Sequence, residues 1–283
     1  MKYTPRLPKS NVNVTPTSPL REFFVLTLSL LAIVIVIYIL LGFAVDLIVP
    51  RISTDLETKM SELFIRSVDA EDIDSEWAGY VQSLVEDLQK RCTKLPYPFK
   101  VHVRKASSVN ALAFPGGHIV VFTGLLGKIT SENELAFAFA HEMGHYANRD
   151  HLRGVGRAFV FITISTFLFG TDSNISQMLA HALNITELSF SRKQETRADE
   201  FALDILNCAY GNVAGATDFF KRLPKEQDPG TIGHYFASHP ENLKRITDLN
   251  KIIRDKGFKP AGKKPLPKIV QQSKEQKEMR DLN

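Results

Sequence analysis

From Phe23 to Val45 the chain reads FFVLTLSLLAIVIVIYILLGFAV, 23 residues without a charge. At about 1.5 Å of rise per residue, a helix of that length crosses a hydrocarbon core of about 30 Å. A globular core offers it no natural place, because it is apolar on every face rather than along one stripe. A cleaved signal peptide is the competing reading, since Gly42-Phe43-Ala44 has a small-x-small outline. The run is longer than the usual apolar region of about 7–15 residues in such peptides. The sequence therefore predicts an uncleaved transmembrane anchor over 23–49, behind a basic N-terminus over 1–22. That N-terminus is rich in Pro, Ser, Thr and Asn and is expected to be disordered. Lys2, Arg6, Lys9 and Arg21 precede the run, whereas only Arg51 and Lys59 follow it closely. The positive-inside rule then places the N-terminus in the cytoplasm and the large domain across the membrane.

The remainder is long enough for one domain of ordinary size. A composition of 44% hydrophobic and 23% charged residues can fill its core. The net charge of +4 originates in the tail, where ten Lys/Arg stand against four Asp/Glu between Lys251 and Asn283. The rest of the chain is slightly acidic, so no face suits nucleic acid, and none is expected as a partner. After Lys256 the Pro-, Lys- and Gln-rich stretch 257–283 reads as a disordered basic tail. Cys92 and Cys208 form no metal motif. They are expected to be ordinary buried thiols rather than a pair.

Between those ends the periodicity predicts an α+β domain over 52–256, mostly helical, with a small sheet. Trp77, Val81, Leu84, Val85 and Leu88 recur at helical spacing within a helical region over 52–91. FKVHVRKA at 99–106 alternates as a strand does, and NALAFPGGHIVVFTGLL at 110–126 reads as two short strands around a Pro-Gly-Gly turn. Ser131 with Glu134 forms a capping-box pattern for a helix through His141 and His145. Later helices are expected around 186–209 and 238–253. The apolar run Ala158–Gly170 is too short to span, and is expected to pack in the core or dip into the membrane surface.

The chemistry centres on HEMGH at 141–145. Residues four apart on a helix face the same side, so His141 and His145 can offer imidazole nitrogens to one Zn²⁺. Glu142, on the edge of that face, can take a proton from a zinc-bound water without ligating the metal. A catalytic zinc needs a third protein ligand and an open position. His151, His181, Glu187, Glu195 and His239 are the candidates. In ETRADEFA (195–202) Glu195 and Asp199 lie one turn apart, so one carboxylate can bind the metal while the other holds a histidine ligand through its free N–H. Ala198 is small enough to let the two helices approach closely. The segment Asn110–Ala113, through Asn110, Ala111 and Ala113, either offers an edge to substrate backbone or is a plain core hairpin.

Four ordered motifs carry a family resemblance over about 52–253: NALAFPGGHIVVFTGLL, HEMGH, ETRADEFA and SHPENLKR. Together the chain resembles the membrane-associated zinc metallopeptidases of family 48, which include the CAAX prenyl proteases and the HtpX-type proteases. The resemblance implies a zincin-like (gluzincin) fold and one zinc ion per chain held by His141, His145 and Glu195. It implies Glu142 as catalytic base, Asp199 as support for a ligand, and His239 with Arg245 at the tetrahedral intermediate. Protein or peptide substrates and a lipid bilayer follow as partners. With one clear span, the chain looks like the single-pass or periplasmic branch. That implies a bacterial inner-membrane protein, its catalytic domain on the periplasmic side, acting in quality control of membrane or envelope proteins. The alternative is a catalytically silent zinc-binding pseudoprotease that serves as a protein-binding module.

Overall fold

The computed structural model describes residues 18–65, 75–170, 190–222, 239 and 242–268. Helix α1 (Pro19–Ile48) carries the apolar run and has no buried residue. A short 3-10 turn leads to α2 (Thr54–Ile65) and then α3 (Ser75–Cys92). Strands β1 (Lys100–Arg104), β2 (Ala111–Phe114) and β3 (His118–Phe122) form a 3-stranded sheet in the order β1-β3-β2. The first pairing is parallel and the second antiparallel. Next come α4 (Thr123–Lys128), the central helix α5 (Glu132–Ala147), and α6 (Asp150–Phe169). Helices α7 (Arg192–Tyr210), α8 (Asp218–Arg222) and α9 (Asn242–Asp255) complete the order. The domain is mostly helical with one small sheet, as the periodicity predicts. Of the N-terminus expected to be disordered over 1–22, residues 1–17 lie outside the described residues, whereas Pro19, Leu20, Arg21 and Glu22 form the first turn of α1.

Side chains of Trp77, Val81, Val85 and Leu88 from α3 pack with Leu135, Phe139 and Met143 of α5 in the main core. Helix α5 is therefore buried almost throughout, which is unusual for a helix bearing so many polar groups. Its N-terminus is capped by Ser131, whose hydroxyl accepts from the Glu134 N–H at 3.3 Å. The reciprocal half of the capping box is absent. Glu134 instead accepts from Thr130, through its N–H at 2.9 Å and its hydroxyl at 2.7 Å, and pairs with Arg222.

The Pro-Gly-Gly turn between β2 and β3 has positive φ at Gly116 and Gly117 (82° and 90°), where a side chain is strained. Helix α2 lies on this turn. A Cβ on Gly116 would fall 2.6 Å from the Ser61 hydroxyl. Glu57 of α2, fully buried, anchors the contact. Its carboxylate accepts from the Gly116 N–H (3.0 Å), the Tyr97 hydroxyl (3.1 Å) and His151 Nε2 (2.7 Å). Burial opposes its charge, but His151, the Gly116 N–H and Tyr97 together hold the carboxyl below its ordinary range. Glu57→Ala strands three buried partners and is expected to cost about 3–5 kcal/mol in urea unfolding of the folded domain. A loss below about 1 kcal/mol would contradict this picture of the joint.

Two expectations are corrected here. Cys92, at the end of α3, and Cys208, in α7, are paired in a disulfide with Cα atoms 5.8 Å apart, not free thiols. The pair closes a loop of 116 residues. Its reduction is expected to lower unfolding stability by about 2–4 kcal/mol, read as a shifted denaturation midpoint. Of the tail expected to be disordered over 257–283, residues 257–268 stay on the domain, and 269–283 lie outside the described residues. The Glu132 N–H donates to the Lys264 carbonyl (2.9 Å), the Val213 N–H to that of Lys259 (2.8 Å), and Leu266 is buried. These contacts satisfy backbone groups at the start of α5 and beyond the end of α7.

Candidate metal centre

Helices α5 and α7 cross where neither has a bulky side chain. A Cβ on Gly144 would fall 2.8 Å from the Ala198 Cα, so glycine at 144 permits the approach and the small Ala198 allows it from the other side. This crossing brings HEMGH against ETRADEFA. Helix α7 begins with a complete capping box: the Ser191 hydroxyl accepts from the Gln194 N–H, and the Gln194 side chain accepts from the Ser191 N–H at 2.9 Å. That cap fixes Glu195 in the first turn, facing the two histidines.

His141 Nε2 and His145 Nε2 stand 3.2 Å apart. Glu195 lies 3.5 Å from His141 Nε2 through Oε2 and 3.4 Å from His145 Nε2 through Oε1. Donors at roughly 2.0–2.1 Å around a tetrahedral ion stand about 3.3 Å apart. The three residues therefore fit a zinc ion. All are buried. His239 joins the group, with Nδ1 3.0 Å from Glu195 Oε1 and 3.3 Å from His141 Nε2, so the four could hold a metal. Glu142 is buried beside them, with His239 Nε2 3.7 Å from its Oε1. Its second oxygen, Oε2, has no hydrogen-bond partner among the described residues.

The outer partners are equally specific. Asp199 Oδ1 lies 3.0 Å from His141 Nδ1, as the one-turn spacing anticipates. Arg245 of α9 forks onto Asp199, donating from Nε (2.8 Å) and Nη2 (2.6 Å), and its Nη1 lies 2.9 Å from Glu195 Oε2. Asp150, the first residue of α6, does for His145 Nδ1 what Asp199 does for His141, at 3.2 Å. Gln194 and Arg197 in turn hold Asp150. Asp150 is the functional residue that the sequence reading passes over. Its signal is an acid placed immediately beyond the histidine helix. Phe190 also stacks on His145, ring centroids 3.9 Å apart.

Burial pushes the Glu195 carboxyl up, but His239, Arg245 and His141 overwhelm it and hold it far below the usual range. Asp199 is held low in the same way, by Arg245 and His141. Burial also works against a charged His145, yet Asp150, Glu195 and Glu142 lift it to about 9. Burial lowers His239.

The other candidates fall elsewhere. His151 is committed to Glu57, while His181 and Glu187 lie outside the described residues. Asn110 is buried just before β2, and Ala111 and Ala113 lie in β2, which among the described residues pairs with β3 on one side only. A narrow hollow runs from Ala111 past Phe137, Phe219 and Phe220 to His141 and Glu142.

The chain is 34% identical over 139 residues to the mitochondrial metalloendopeptidase OMA1 of Arabidopsis thaliana, covering 48% of this chain and 28% of that protein. It is 30% identical over 158 residues to the Schizosaccharomyces pombe protein of the same name, covering 54% and 46%. With metalloprotease LoiP of Escherichia coli the figures are 28% over 191 residues, 65% and 74%. The chain thus spans less than half the length of the two mitochondrial relatives. The profile of Peptidase family M48 matches residues 75–253, a stretch that contains His141, His145, Glu195, Asp199, His239 and Arg245. With the metal-type donor set and that match in agreement, the chain belongs to Peptidase family M48.

Proposed function

We propose that the chain is a membrane-anchored zinc metalloendopeptidase acting in quality control of membrane or envelope proteins. The observation that carries it is the spacing of His141, His145 and Glu195 with the Glu142 carboxylate beside them. In this reading those three residues hold one zinc ion. When bound, zinc acidifies water and polarises the scissile carbonyl. Glu142 takes the water's proton and returns it to the leaving amine. His239 donates to the oxygen that gains charge. Arg245 and Asp199 keep His141 and Glu195 in place, so their part is positioning. Substrate backbone pairs with the outer edge of β2 through Asn110–Ala113, next to the hollow that reaches Glu142.

Helix α1, long and apolar enough to cross a membrane, supports the anchor. The Cys92–Cys208 pair supports an oxidising compartment for the domain, hence an extracytoplasmic side. The names of the relatives support peptide bonds as the target.

Casein incubated with the purified chain is expected to be cut at internal bonds. Chelation should stop cleavage and added zinc restore it. A chain that binds zinc yet leaves casein intact would be the silent binding module instead.

A further inference from the structure

Helix α6 starts where the metal centre ends and turns back along the anchor. Arg149, in the left-handed conformation (φ 55°), ends the run from α5 and donates from Nη1 to the Val49 carbonyl at 3.0 Å. From there α6 runs antiparallel to α1. Arg157 pairs with Asp46 at 2.9 Å and Arg153 with the same carboxylate at 3.4 Å. A Cβ on Gly156 would fall 2.7 Å from Val45, and the Tyr38 and Phe161 rings lie 6.4 Å apart. After Arg157 no residue to Phe169 is charged. Phe159, Phe161, Phe167, Leu168 and Phe169 all face outward, with Phe167 89% exposed. A soluble protein rarely displays such a patch. This one is continuous with the anchor's own apolar surface, and it begins at the level of Asp46, the first charge after the apolar run of α1.

The polar atoms of the segment suit an apolar surround. The Thr163 hydroxyl donates to the Phe159 carbonyl (2.9 Å), and Ser165 is buried. The twelve residues beyond Arg157 reach about 18 Å, close to the midplane of a core about 30 Å thick. Phe190 is again at the metal centre, on the same side as Asp150.

We propose that α6 is a re-entrant membrane element: its Ala158–Phe169 half inserts beside α1 among the lipid acyl chains to about the midplane. Its Asp150 end thereby holds the metal centre near the bilayer surface. Asp150, which touches His145, lies about 10 Å of helix above the Asp46–Arg157 pair. Resting on the anchored-peptidase reading, this names a substrate class: membrane-proximal segments of membrane proteins. The run expected to pack in the core or dip into the membrane surface belongs to a helix of 20 residues whose second half lies along α1.

The test uses the full chain in phosphatidylcholine–phosphatidylglycerol vesicles. Single cysteines replace Phe161, Phe167 or, as a control in α1, Ile35; the native cysteines are tied up in the disulfide. The proposal expects both α6 positions to resist membrane-impermeant maleimide from either side. A fluorophore at 161 should be quenched most by lipid carrying a shallow spin label, and one at 167 by a deep label. Maleimide reaction at 167 from the domain side, with Ile35 protected, overturns insertion but leaves the anchor. Reaction at 167 from the opposite side shows a full crossing and also overturns it. Reaction at Ile35 instead removes the anchored reading itself. Protection without lipid quenching, with cross-links between chains, assigns the face to a second copy and refutes the lipid assignment. For the substrate class, Phe161→Asp with Phe167→Asp should leave cleavage of a soluble peptide unchanged. It should lower cleavage of the same peptide tethered to the vesicle at least tenfold. An unchanged ratio of tethered to soluble cleavage refutes the surface positioning.

Discussion

Glu142→Gln will leave metal bound and abolish proteolysis. Glutamine keeps the shape of the side chain and removes only the proton acceptor. A positioned general base is worth about 10²–10⁴ in rate, so the loss should approach the upper end of that range. Glu142 lies outside the triad whose donors stand 3.2–3.5 Å apart, so the metal count of the variant should match the parent. The measurement is peptide turnover and metal content on one preparation. Turnover within tenfold of the parent would remove Glu142 as the base.

Glu195→Ala and His239→Ala should separate what the geometry brings together. Glu195 contacts both histidine nitrogens and is expected to be a ligand. Its loss should weaken zinc binding by more than the roughly 10–100-fold typical of losing an outer partner, and activity should go with it. His239 lies equally near, 3.0 Å from Glu195, but is expected to act on the substrate oxygen. Its loss should lower kcat by about 10²–10³ with zinc affinity within a few-fold of the parent. Competition with a fluorescent zinc chelator measures the first quantity, and peptide turnover at saturating zinc the second. If His239→Ala loses the metal and Glu195→Ala keeps it, the two roles are exchanged.

The helix pairs were legible because helical spacing is local. His141 with His145, and Glu195 with Asp199, need only one turn each to share a face. The α5–α7 crossing was legible in part, through Ala198, although Gly144 is the residue with no room for a Cβ. Asp150 was not, because it lies beyond a left-handed Arg149 that nothing in the local residues announces. The disulfide joins cysteines 116 residues apart, and only the packing of α3 against α7 puts them within reach. Helix α6 looked short because Arg153 and Arg157 interrupt its apolar pattern. Asp46, more than a hundred residues earlier, partners both and permits the longer helix. Residues 258–266 have a composition that reads as unfolded. What orders them is backbone hydrogen bonding to Glu132 and Val213, which no composition records.

X-ray absorption at the zinc edge of the purified full chain tests the central claim most directly. The account predicts one zinc per chain with two imidazoles, one carboxylate and a water-type oxygen at roughly 2.0–2.1 Å. A third imidazole in the shell, a shell without carboxylate, or a chain that takes up no zinc would contradict it.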